Sequence, residues 1–143
     1  MAETQKKAQT APVPSWRLIL LPVVLYGLHA LLFRRWIVDD AGISFAYARS
    51  LAGGYGLVAQ PGSPPVEAYS NFTWVVLLAP FFSLGLFDPI LTPKLVSLAL
   101  VATTFRVLSR PIWLLTRGSR ATVVVVLSLI ALSSPFAIWT TSG

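Results

Sequence analysis

A chain of 143 residues with 55% hydrophobic and 11% charged side chains, and a mean hydropathy of +0.73, is too apolar for a soluble domain and reads as a membrane protein. Its net charge of +6 sits at the edges of apolar runs and forms no stripe or reader motif, which argues against a nucleic-acid partner. Cysteine is absent, which removes disulfides, thiolate catalysis and cysteine-ligated metals. The single histidine, His29, lies in an apolar run and reads as a satisfied or interfacial side chain, not a metal ligand.

Residues 1–15 carry Lys6 and Lys7 and are broken by Pro12 and Pro14, the composition of a disordered cytoplasmic tail. Residues 16–33 form a nearly uncharged run long enough to cross a hydrocarbon core of about 30 Å as a helix. A cleaved signal peptide is the competing reading, but the run exceeds the usual ~7–15 apolar residues and no small-x-small cleavage site follows. After Arg34 and Arg35, the pair Asp39-Asp40 stands where a new helix should begin. Ile43, Tyr47 and Leu51 then follow at four-residue spacing, and Gly53-Gly54 makes a stop. This predicts a short amphipathic helix over 40–53 lying in the membrane interface.

A loop with Pro61-Gly62 and Pro64-Pro65 leads to Glu67, Tyr69 and Asn71. The apolar run 72–87 is short for a span and contains Pro80, whereas 90–108 and 121–139 are each long enough to cross. Charge decides the topology. The turn 109–120 carries Arg110, Arg117 and Arg120 without an acid, and the tail carries Lys6, Lys7 and Arg17, so both belong on the cytoplasmic side. An even number of crossings must separate them. Spans 16–33 and 90–108 supply it if 72–87 lies as a second juxtamembrane helix on the outer face. Lys94 and Arg106, near the ends of their span, are expected to snorkel to the interface. The predicted fold is therefore all-α and polytopic, with three transmembrane helices and an outer loop over 34–89.

Three of the five acidic residues, Asp39, Asp40 and Glu67, fall in that loop. Adjacent carboxylates there suit a general base, a metal ligand or a helix cap, and the residues alone leave the three open. Trp36 and Trp74 read as an interfacial aromatic belt, while Tyr69 and Asn71 suit the lining of a sugar pocket. Arg34, Arg35 and Arg49 face outward against the charge rule, which a phosphate ligand would explain.

The run from Asp39-Asp40 through Arg49 to Leu57, then Pro61-Gly62, then Glu67 to Trp74, resembles the first outer loop of polytopic polyprenyl-phosphate-sugar glycosyltransferases. It is most similar to the actinobacterial arabinofuranosyltransferase type. The resemblance runs from about Trp36 to the C-terminus, with Gly42 and Ala46 departing from the usual pattern. It implies a helical membrane fold with a catalytic aspartate at Asp39, Asp40 as its neighbour, and Glu67 as a second recurrent acid.

The resulting expectation is the N-terminal part of an inverting glycosyltransferase of the plasma membrane, with its active face outside. It would move arabinofuranose or a similar sugar from a polyprenyl-phosphate donor to a cell-envelope glycan. Asp39 and Asp40 are the candidate catalytic residues; Arg35, Arg49, Glu67, Tyr69 and Asn71 are the candidate substrate-binding residues. No cofactor or metal set is read, and dependence on a divalent ion is left open. The expected partners are donor, glycan acceptor and membrane lipid, together with a missing C-terminal portion or a partner chain. Three spans give one wall of a site, so the chain alone is expected to be inactive. Two alternatives stand beside this: a non-enzymatic membrane assembly subunit, and a fragment of a lipid-glycan carrier or flippase.

Overall fold

The computed structural model describes residues 15–66 and 71–142; nearly all of the tail 1–15 lies outside them. Among the described residues the chain is all-α. It has six helices and no strand: α1 (Arg17–Leu31), α2 (Ala41–Ala52), α3 (Phe72–Ser83), α4 (Leu91–Leu115), α5 (Arg120–Ala131) and α6 (Ser134–Thr141). They divide into two compact units, one of Met1–Leu32 with Leu98–Trp139, the other of Phe33–Ser97 with Thr140–Gly143.

In the first unit α1 packs along α5. Tyr26, Val101, Phe105, Val123, Leu127 and Ala131 form the buried cluster, with Leu18, Ile19 and Val23 against it. His29 and Ala131, each near the C-terminal end of its helix, are in contact, so the two helices run in the same direction. The four-residue turn 116–119 joins α4 to α5. The start of α1 and this turn therefore lie at one end of the unit.

The run 121–139 is broken: α5 and α6 meet at a bend of 63°. Pro135 is the cause. In a continuous helix its ring would collide with the Ala131 carbonyl, four residues back, and it has no N–H to offer. The break moves Pro135 into the first turn of α6, where no N–H is needed. The freed Ala131 carbonyl accepts from His29 Nδ1 at 3.1 Å, so His29 is the satisfied histidine of the sequence reading.

Helix α4 extends past 108 through Arg110 and Pro111 to Leu115. The basic turn is thus four residues, not twelve, because hydropathy ends where the arginines begin but the backbone does not. At 25 residues α4 is long and apolar enough to cross a membrane. Helices α1 and α3 are apolar but shorter, 15 and 12 residues.

Three helices stop by the same backbone device, in which two amides beyond the end bond back to carbonyls of the last turn. After α2, Tyr55 and Gly54 donate to Ser50 and Leu51; after α3, Leu86 and Gly85 donate to Phe81 and Phe82; after α4, Gly118 and Arg117 donate to Trp113 and Leu114. The residue that turns left-handed is Gly54 (φ 78°), Gly85 (φ 67°) and Arg117 (φ 52°) respectively. Only the last carries a Cβ, at a cost of roughly 1–2 kcal/mol.

In the second unit α2 packs on α3 through Tyr47, Ala48, Val75 and Leu78. The buried residues of α2 are Ala41, Ser44, Tyr47, Ala48 and Ser50. Ile43, placed on one face with Tyr47 by the sequence reading, is 42% exposed.

Candidate acidic site at the start of helix α2

Asp39 and Asp40 form the turn that leads into α2, and both are exposed. The first amides of the helix do not use their carboxylates. Ala41, Gly42 and Ile43 donate instead to the backbone carbonyls of Val38, Asp39 and Asp40 at 3.0, 3.1 and 3.1 Å. Asp40, the N-cap, makes no side-chain capping bond. A tight i to i+3 opening thus satisfies these N–H groups, and among the described residues neither carboxylate has a hydrogen-bond or ion-pair partner. Two exposed acceptor groups are left at the start of the helix.

The segment leading to them is held from afar. Lys94, in the first turn of α4, donates to the Trp36 carbonyl at 2.9 Å and to the Thr141 carbonyl at 2.8 Å. The Val38 amide donates to the Ser142 carbonyl at 2.9 Å. The ammonium of Lys94 is a clamp between the approach to Asp39 and the end of α6. Sequence reading missed it because its partners are 58 and 47 residues away. The one available signal was a lysine at the apolar start of a long helix.

On the packed side of α2, Ser44 Oγ donates to Asn71 Oδ1 at 3.2 Å and Asn71 Nδ2 lies 3.0 Å from the same hydroxyl. Tyr47 donates its hydroxyl to the Val66 carbonyl. These bonds fasten Val66 and Asn71 to α2; the sequence-predicted Glu67 and Tyr69 lie outside the described residues. Asn71 is exposed, but its amide is engaged with Ser44.

Arg35 is exposed four residues before Asp39. Arg49 is exposed in the last turn of α2, nine residues from Asp40, a separation of ~14 Å along the helix. The helix therefore does not bring Arg49 to the acidic pair. Trp36 is 40% exposed, as suits an interfacial ring. Trp74 is half-buried and its Nε1 is covered and finds no partner among the described residues, so it is a packing residue of α3. Among the described residues no three histidine or acidic side chains group as a metal site.

No family model matches this chain, and neither a curated protein nor a solved structure matches it.

Proposed function

We propose that this chain carries the first outer loop of an inverting membrane glycosyltransferase, which moves arabinofuranose or a similar sugar from a polyprenyl-phosphate donor to a cell-envelope glycan. The observation that carries the reading is the pair of unengaged carboxylates, Asp39 and Asp40, at a helix start whose amides are already satisfied by backbone. A cap would have used at least one of them.

In this mechanism polyprenyl phosphate is already a competent leaving group, so the difficult proton is that of the acceptor hydroxyl. Asp39 accepts that proton as the acceptor oxygen forms its bond to the anomeric carbon from the face opposite the phosphate. The bond from that carbon to the phosphate oxygen breaks, and its electron pair leaves with the phosphate. Arg35 serves the phosphate and Glu67 and Tyr69 the sugar, whereas Arg49 lies at the far end of α2 and the Asn71 amide is held by Ser44.

The membrane placement belongs to the proposal: three crossings, near 16–33, 90–108 and 121–139, with α2 and α3 on the outer face of the plasma membrane. Support comes from the parallel run of α1 and α5, which puts Arg17 and the Arg117–Arg120 turn at one end, as an even number of intervening crossings requires. The third crossing is the bent pair α5 and α6.

The test is transfer of radiolabelled sugar from a polyprenyl-phosphate donor in host membranes lacking the native gene and supplied with each variant. Asp39→Asn keeps the size of the side chain and removes the base. Transfer should fall roughly 10²–10⁴-fold with the amount of protein in the membrane unchanged. Asp40→Asn is measured beside it, because adjacent carboxylates can exchange roles. Unchanged transfer in both single variants and in the double variant would sink the mechanism and leave the assembly-subunit reading. The purified chain alone should show no transfer.

A further inference from the structure

Among its described residues the first unit gathers positive charge at one end with no acidic side chain to answer it. Arg17 is the first residue of α1 and Arg120 the first residue of α5, and neither helix has an acid in its first turn. Both arginines therefore sit at the positive pole of a helix dipole, where a carboxylate would be favoured. The two helices run in the same direction, so these two unfavourable starts adjoin. The Ser119 side chain caps α5 by accepting from the Thr122 amide, which leaves the charge of Arg120 uncompensated.

A second observation points the same way. In the turn between α4 and α5, Arg117 occupies the left-handed position that glycine fills after α2 and α3. Gly118, which follows, is itself left-handed (φ 86°), so the turn takes two successive left-handed residues and the first of them carries a side chain where glycine stands after α2 and α3. Strain kept where the commoner residue would remove it marks a side chain wanted for something other than the turn. Arg110, exposed, and Arg106, half-buried one helical turn further in, extend the cluster along one face of α4. Among the described residues of this unit there is no acidic side chain.

We infer that this end of the molecule binds the headgroups of an anionic phospholipid leaflet. A charge-complementary partner must be anionic, and the surface beside the arginines says which anion. Trp16 is 59% exposed, Leu20 and Leu21 about half exposed, and Leu115 83% exposed. A soluble phosphate or a nucleic acid would leave these apolar side chains in water, whereas a lipid supplies phosphate to the arginines and acyl chain to the leucines together. Guanidinium forks match phosphate oxygens two at a time, so Arg117 and Arg120 hold headgroups in fixed register and do more than feel a diffuse potential. This inference rests on the membrane placement proposed above and is independent of the transfer chemistry.

The test uses the full chain reconstituted in phosphatidylcholine bilayers with spin-labelled phosphatidylglycerol or spin-labelled phosphatidylcholine. The motionally restricted fraction of each gives their relative association with the protein. Phosphatidylglycerol should be preferred roughly fivefold for each arginine engaged, the factor that corresponds to about 1 kcal/mol per basic residue at an anionic surface. The triple variant Arg110→Gln, Arg117→Gln, Arg120→Gln should lose most of the preference, and the triple lysine variant should keep at least half of its logarithm. The lysine variant also guards against a glutamine variant that fails to insert. Equal association of both lipids, or a preference that survives the triple glutamine change, would overturn the inference. So would complete displacement by inorganic phosphate at constant ionic strength, which would make this a soluble-anion site. Absence of a restricted component for either lipid would instead defeat the membrane placement itself.

Discussion

Two helices of the second unit begin at an aspartate, and they begin in opposite ways. At α4, Asp88 Oδ1 accepts from the amides of Ile90 and Leu91 at 2.8 and 2.6 Å, and the Asp88 amide donates back to Thr92 Oγ1 at 2.9 Å. That is a reciprocal cap, with the carboxylate fully employed in holding the chain. At α2, the amides of Ala41, Gly42 and Ile43 turn to backbone carbonyls and two carboxylates are left over. An acid at a helix start is thus no guide to its job. What tells a structural carboxylate from an available one is where the first amides of the helix point.

The comparison can be broken in three ways, all read as unfolding free energy in detergent micelles. The largest effect should come from Lys94→Met, which takes a charged donor from the Trp36 and Thr141 carbonyls. A loss of about 2–3 kcal/mol is expected, since a hydrogen bond to a charged group contributes about 1.5–3 kcal/mol. Lys94→Arg, keeping charge and donors, should recover part of it; equal losses in both would mean that shape matters and the clamp does not. Next comes Asp88→Ala, expected to cost ~1 kcal/mol, the usual value of a lost N-cap. The smallest effects should be Asp39→Ala and Asp40→Ala, each within ~0.5 kcal/mol of the parent, as for surface positions without partners. A cost at Asp40 equal to that at Asp88 would show that its carboxylate caps after all, and would remove the main support for a catalytic role.

What the sequence could show divides along the range of the interactions involved. Helical class, the start of α2 at the acidic pair and its stop at Gly53-Gly54 rest on neighbours within a turn or two, and all were legible. The face that α2 buries was not. Ile43 is the more apolar choice, but the buried positions are Ala41, Ser44, Tyr47, Ala48 and Ser50, most of them small, and smallness carries no periodic signal. The run 121–139 looked continuous because a hydropathy window gives Pro135 no special weight, although its ring breaks the helix. The acids were found by their scarcity. Their freedom from capping, and the grip of Lys94 on the segment before them, depend on backbone geometry and on residues distant in sequence.

That grip sets when the segment before the acidic pair is fastened. The Val38 amide finds its partner in Ser142, and the other carbonyl held by Lys94 belongs to Thr141. A ribosome working at roughly 5–20 residues per second reaches those positions on the order of 5–20 seconds after Val38 has been made. Through that interval α2 can form from its own neighbours, but the segment that presents Asp39 lacks its fastening. The acidic pair is synthesised well before the residues that fasten the segment presenting it, so its geometry waits for Thr141 and Ser142 to emerge.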